Sequence, residues 1–361
     1  MSRVYRGRWH TLGLSEPTRR CSSQGPSVRT TRSIISSVMR DNQEMPSVGR
    51  GPKVSVGMPV YNGERYLEEA LESILAQSFD DFELVISDNA STDRTEEICR
   101  IYAHKDERIR YFRMRENYGV IDNFNNVFRL SAGEYFKWAS SDDVCEHDYL
   151  RKAVEVLDRD PSVVLVWAKT LGIDEHGTAV PMQQEISDLN SAESVFSPDP
   201  TVRFRRLLRN IWWVDGPLYG VIRATALSQT KAAVYHRHMS CDQILLTELS
   251  LKGRFYEIPD ERFFTRVHPN KTSRQQKTLR DRATLVDRED PGTGVRGWWR
   301  MLRGYPQRIA LYMRYIADAP LSPRQRLLCR YEVLRAMAFW GILRTRQVAT
   351  GTSPWGRGSD H

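Results

Sequence analysis

The chain has 361 residues, 40% hydrophobic and 27% charged, a globular balance with enough length for a substantial core, which excludes a fibrous, collagen-like or wholly disordered polypeptide. The formal charge of +8 is unevenly spread: residues 1–50 carry +6 and residues 271–361 carry +11, leaving −9 for the stretch between. An acidic body repels phosphate backbones, so the basic flanks are not a nucleic-acid signature, and no nucleic-acid partner is expected.

No run approaches the roughly 18 consecutive apolar residues of a membrane span; the best is Val163 to Ala168. Five scattered cysteines, odd in number and without a CxxC, fit neither a disulfide framework nor a zinc finger and point to a reducing, cytoplasmic compartment. Residues 1–50 are rich in Arg and Ser and show no sustained period, so they are expected to be a disordered basic extension. A transit peptide, or an extended start ahead of Met39 or Met45, fits the same composition.

From Lys53 the pattern changes. Lys53 to Val60 is a short run rich in β-branched residues that stops at Tyr61-Asn62-Gly63, a buried strand entering a turn. Leu67, Ala70, Leu71, Ile74 and Leu75 recur at helical spacing, with Glu68, Glu69 and Glu72 left for water. Phe82 to Ser87 predicts a second strand. Ser91-Thr92-Asp93 opens a second helix, with Asp93 and Glu96 at capping-box spacing, and Ile109 to Met114 supplies a third strand. Such β-α-β-α-β alternation signals a mostly parallel sheet flanked by helices.

The alternation continues with a helix at about Val120 to Leu130, a strand at Tyr135 to Trp138 and a polar loop at Ser140 to Asp143. A helix at about Tyr149 to Leu157 and a strand at Val163 to Ala168 follow. Residues 174–200 read as a variable surface loop. Helical patterns return near 201–210, 224–234 and 241–251, and Phe255 to Val267 reads as extended. Beyond residue 295, basic, aromatic-rich helices suit a cap packed on the core or, alternatively, an anionic membrane surface. The expected organisation is an N-terminal extension (1–50), an α/β body (51–270), a basic helical extension (271–348) and a flexible tail (349–361).

In an open α/β sheet ligands bind beyond the carboxyl ends of the strands. Three polar clusters fall there: Pro59 to Asn62, Ser87 to Asp93, and Asp142-Asp143. Singly each is an ordinary set of turn or cap residues; together they converge on one sheet edge. Two other signals are set aside. Gly292 to Gly297 matches GxGxxG but follows an acidic stretch instead of a strand. His236 and His238 lack a third ligand at a recognised spacing.

At these residues the chain resembles the inverting glycosyltransferases of family 2, which have the Rossmann-like GT-A fold. The resemblance rests on residues 52–64, Leu67 to Gln77, Phe82 to Ile86, Asp88 to Asp93, Ala132 to Phe136, Asp142-Asp143 and His147 to Leu150, and extends over about residues 52–270. It implies a nucleotide-diphosphate sugar donor and a glycan or lipid-linked acceptor, as in cell-surface polysaccharide synthesis at the cytoplasmic face of a membrane. It also implies that Asp88 reads the nucleobase and that Pro59, Tyr61, Asn62, Glu64 and Asp142 line the donor site. Mg²⁺ or Mn²⁺ would be held by Asp142 and Asp143, with His268 as a further candidate; hard oxygen ligands suit these ions.

The resemblance makes Asp242 the base that takes the acceptor proton. Trp212, Trp213 and Tyr219 are candidates for stacking on an acceptor sugar, or for aromatic core. Two departures matter: Ser140 stands where the family usually has the first aspartate of Asp-x-Asp, and Cys241 stands where a Glu is customary. They motivate an alternative, a nucleotide-sugar-binding module of the same fold that has lost turnover.

Overall fold

The computed structural model describes residues 51–181, 193–209, 215–230, 241–269 and 295–350. The N-terminal extension, Trp212, Trp213, His236, His238, the GxGxxG match up to Gly294 and the tail from residue 351 lie outside the described residues.

In chain order the strands are β1 (Val54–Val60), β2 (Phe82–Asp88), β3 (Ile109–Arg113), β4 (Tyr135–Trp138), β5 (Val144–Cys145), β6 (Val163–Ile173), β7 (Ala179–Val180), β8 (Val221–Arg223) and β9 (Arg254–Arg266). The helices are α1 (Leu67–Leu75), α2 (Thr95–Lys105), α3 (Val120–Leu130), α4 (Tyr149–Arg159), α5 (Glu193–Phe196), α6 (Pro200–Arg209), α7 (Asp215–Leu218), α8 (Ala224–Ser228), α9 (Cys241–Lys252), α10 (Val295–Asp318) and α11 (Pro323–Thr350). The strands form one sheet in the order β3-β2-β1-β4-β8-β6-β9-β5, with β7 paired to β6. β1, β2, β3 and β4 run parallel, as do β6 and β9, while β8 is antiparallel to both β4 and β6. The mostly parallel sheet flanked by helices is therefore the architecture the alternation predicts.

Side chains leave a strand on alternate faces, so each face acquires its own core. On one face Val54, Val56, Met58 and Tyr135 pack with Leu67, Leu71 and Ile74 of α1, Ile98 of α2, and Leu150 and Leu157 of α4. On the other, Phe136, Trp138 and Trp167 meet Val127 of α3, Phe204 of α6, and Leu245 and Leu249 of α9. Tyr312 and Ile316 of α10, with Cys329 and Val333 of α11, complete this second core. The C-terminal helices thus cap the sheet, the first of the two roles their composition allows.

Lys137 interrupts the apolar alternation of β4. Its side chain is 1% exposed, and burial pushes its pKa down. The amine donates to the carbonyls of Trp138 (3.1 Å) and Tyr219 (2.7 Å), a use of its hydrogens that fixes the start of β8 to the end of β4.

Several boundaries differ from the sequence reading. β6 continues through Lys169 and Thr170 to Ile173, because pairing with β9 carries it past the apolar run. The segment read as a loop at 174–200 contains β7 and α5. The capping box does not form: Asp93 Oδ1 accepts from Thr95 N at 3.0 Å, while Glu96 pairs with Arg100 and Arg113.

At the amino end of the sheet, Ser55 Oγ donates to Glu83 Oε1 (2.6 Å) and accepts from Gly133 N (2.8 Å). A Cβ at Gly133 would lie 2.5 Å from Ser55 N and 2.8 Å from Tyr135 O, backbone atoms with no freedom to retreat. Gly133→Ala should therefore destabilise the fold by about 1–3 kcal/mol through overpacking, read as a lower urea midpoint at unchanged m-value.

Candidate active site

The carboxyl edge of β1, β2, β4, β6 and β9 gathers the polar clusters. After β1 the chain turns at Asn62, whose φ of 52° lies in the left-handed region that Asn tolerates. Asn62 Oδ1 accepts from Thr92 N (2.8 Å), and Asn62 N donates to Ser91 Oγ (2.9 Å). Glu64 N donates to Asp93 Oδ2 (3.1 Å), and Glu64 Oε2 accepts from Arg94 N (2.9 Å). The loops after β1 and β2 are thus braced by reciprocal hydrogen bonds that employ the side chains of Asn62 and Glu64, while Tyr61 stays 47% exposed between them.

Asp88 closes β2 opposite Val60 and is fully buried. Oδ1 accepts from Ser91 N (2.8 Å) and Oδ2 from the Tyr111 hydroxyl (2.8 Å), with Arg113 Nε 3.7 Å away. Burial, then hydrogen bonding to the Asp88 carboxylate, raises the Tyr111 pKa. Beside this cluster lies a loop that the sequence reading passed over, Asn117-Tyr118-Gly119. Asn89 receives Tyr118 N (2.9 Å) and donates to Asn117 Oδ1 (3.0 Å) and Gly119 O (3.1 Å). The available signal was Asn-x-Gly directly after a strand and before a helix.

The loop after β4 approaches β1 closely: a Cβ at Gly63 would stand 3.0 Å from Ser141 Oγ. Within it, the two adjacent aspartates diverge. Asp142, with its side chain 15% exposed, accepts a short hydrogen bond from Ser140 Oγ and places Oδ2 2.9 Å from His268 Nε2. Asp143, 3% exposed, turns to β9, where Oδ1 accepts from Arg266 N (2.9 Å) and Thr265 Oγ1 (3.2 Å).

Two residues before His268 stands Arg266. It is 1% exposed. Its Nε donates to Asp142 O (3.1 Å) and Nη1 to Asp174 O (3.0 Å), and Nη2 lies 2.6 Å from Glu69 Oε2. The guanidinium covers the Tyr66 ring at 4.7 Å, and that ring packs at 4.9 Å against His268. One planar fork therefore links α1, the loop after β4, the end of β6 and the end of β9, a geometry an ammonium cannot reproduce.

Asp142 and His268 offer one carboxylate and one imidazole at hydrogen-bond separation, a donor pair that fits a divalent cation whose other positions are filled by phosphate oxygens and water. Among the described residues no group of three or more His, Cys, Asp or Glu forms a closed metal site. Ser140, the departure from Asp-x-Asp, donates to Asp142.

Asp242 lies in the first turn of α9. That helix ends at Lys252, next to the start of β9, where Arg254 pairs with Val163. Asp242 Oδ1 accepts from Gln243 N at 3.0 Å. Burial, then the neighbouring Asp242 charge, pushes the Cys241 thiol well up, so it remains protonated. Tyr219 sits in the turn entering β8 at the carboxyl edge, with its ring stacked on Phe263 at 5.6 Å.

Residues 55–224 match the sequence model described as glycosyl transferase family 2. Over this segment, just under half of its length, the chain is similar to that family. It is 38% identical over 128 residues to EpsE of Bacillus subtilis, named as a glycosyltransferase, covering 35% of this chain and 46% of EpsE. It is 37% identical over 106 residues to TuaG of the same organism, named as a teichuronic acid biosynthesis glycosyltransferase, covering 29% of this chain and 42% of TuaG. The chain thus spans less than half the length of these curated relatives. A crystal structure of residues 1–349 of S. aureus TarS superposes with a TM-score of 0.50 at 19% identity, covering 85% of this chain and 97% of that one. That likeness concerns the fold: the GT-A-like sheet flanked by helices.

If Arg266 holds the edge together, Arg266→Met, which removes its hydrogen bonds to Asp142 O and Asp174 O, should cost about 1–3 kcal/mol. Glu69→Gln, removing a half-exposed partner, should cost no more than about 1 kcal/mol. Urea unfolding of the two variants checks the contrast.

Proposed function

We propose that this chain is a family 2 glycosyltransferase that moves a sugar, with inversion, from a nucleotide-diphosphate donor to a hydroxyl on a glycan or lipid-linked acceptor, as a step in cell-surface polysaccharide synthesis at the cytoplasmic side of the membrane. The observation that carries this reading is the Asp142–His268 pair held at the carboxyl edge of the sheet, 2.9 Å apart and beside the braced loops after β1 and β2.

In this reading Pro59, Tyr61, Asn62, Glu64 and Asp88 form and brace the nucleotide pocket, with the exposed Tyr61 ring as its open wall. Mg²⁺ or Mn²⁺, held by Asp142 with His268, would neutralise the charge that builds on the departing diphosphate. Asp143 supports the loop from behind through Arg266 N and Thr265. Asp242 accepts the proton of the acceptor hydroxyl as that oxygen bonds to the anomeric carbon and the bond to the diphosphate breaks on the opposite face. Tyr219 borders the acceptor side, and Trp212 and Trp213 belong to the same stretch of sequence.

Release of nucleotide diphosphate across a panel of donor sugars, with Mg²⁺ or Mn²⁺ and acceptor, tests the assignment. Asp242→Asn should lower kcat by about 10²–10⁴-fold, the range of general-base catalysis, while Cys241→Ala stays within a few-fold. Asp142→Ala should lower turnover and weaken the dependence on added cation. Turnover that survives both aspartate substitutions overturns the residue roles. Tight nucleotide binding without transfer for every donor supports the inactive binding module suggested by Ser140 and Cys241.

A further inference from the structure

α11 has two apolar faces, and the core uses only one. Cys329 and Val333 are fully buried and Ala336 is 7% exposed. Glu332, equally buried, meets Arg209 of α6 at 2.9 Å and Arg205 at 3.9 Å. On the opposite side Leu327 is 68% exposed, Leu328 42%, Tyr331 56% and Leu334 57%. Half of the large apolar residues left exposed among the described residues thus fall within eight consecutive positions of one helix. Spaced by three and four, they make one stripe, absent from either core.

Charge identifies what would cover this stripe. Arg324, Arg330 and Arg335 are exposed along or beside it, and Arg335 also reaches Glu332, 3.6 Å away. From Pro323 to Ala338 the only acid is Glu332, which points inward. Over their whole length α10 and α11 contain eleven Arg against two acids. A second copy meeting the stripe face to face would set like charges against one another. A bilayer with anionic headgroups answers both halves of the pattern, because apolar side chains enter the headgroup–acyl boundary while guanidinium groups pair with phosphates. No helix among the described residues is long and apolar enough to cross a membrane, so the contact would lie in the plane of the surface.

We propose that the outward face of α11 docks on an anionic lipid surface, with Leu327, Leu328, Tyr331 and Leu334 inserted and Arg324, Arg330 and Arg335 against phosphate.

Flotation of the full chain with vesicles tests this, using phosphatidylcholine alone or with about one third phosphatidylglycerol. The protein should float with the anionic vesicles only, and less at high salt. The triple variant Leu327→Ser, Tyr331→Ser, Leu334→Ser should bind at least about tenfold more weakly, and Arg324→Gln with Arg330→Gln several-fold more weakly, each with an unchanged circular-dichroism melt. Should the triple variant melt early, Leu327→Glu alone, at the most exposed of the four positions, must show the same loss. Equal binding by wild type and the serine variant overturns the proposal. So does the absence of vesicle binding together with a concentration-dependent dimer that the same substitutions disperse, which would assign the face to a second copy. Nucleotide-sugar turnover in solution is not the readout, so neither result bears on the catalytic assignment.

Discussion

The candidate site depends on a strap between two segments far apart in sequence. Asp143 Oδ1 receives Arg266 N, and the Arg266 side chain returns to the carbonyl of Asp142. β5 pairs with β9 directly beside this strap, Val144 opposite Phe264 and Cys145 opposite Phe263. The pairing carries the chain past the end of β9 with His268 beside Asp142. Because both ends of the strap are almost fully buried, its hydrogen bonds do not compete with bulk water, and the loss of one partner leaves an unsatisfied group inside the protein.

This arrangement explains what the sequence could and could not reveal. The parallel strands β1, β2 and β4 and the helices α1 and α3 were legible because burial on one or both faces imposes a pattern over many residues. β5, β7 and β8 are two or three residues long and owe their existence to a neighbour already in place. No local pattern marks them. β6 outran its apolar stretch because β9, almost a hundred residues later, supplies backbone partners as far as Ile173. The capping box at Asp93 was a plausible local solution displaced by tertiary ones: Glu96 found Arg113 on β3, and Asp93 found both Thr95 N and Glu64 N.

The same distinction applies to side chains of the site. Composition and position identify Asp142 and Asp143 as neighbours at a strand end, and nothing in the sequence tells which turns outward. The answer lies with Arg266 and Thr265, more than 120 residues away, whose donors claim Asp143. Likewise Asn62 and Glu64 read as ligand-facing polar residues, whereas much of their hydrogen-bonding capacity braces the loop after β2. Arg266 itself looked like one more charged residue in an extended segment. Its importance is purely three-dimensional, since four elements converge on one guanidinium.

Two kinds of buried charge occur near this edge, and they serve different ends. Lys137 and Arg266 each donate to backbone carbonyls at the sheet's irregular connections, Tyr219 O in one case and Asp142 O and Asp174 O in the other. Arg266 offsets its charge with Glu69 and the Tyr66 face, whereas Lys137 lies between the Tyr149 and Phe263 rings at 5.1 and 4.9 Å and carries a lowered pKa. Desolvation at Lys137 is therefore met partly by ring quadrupoles and partly by a shift towards the neutral amine, which still has hydrogens to donate. An arginine cannot take that second route, because its guanidinium stays charged throughout the accessible pH range. The residue nearer the solvent-facing acids is accordingly the arginine, and the one enclosed between aromatic rings is the lysine.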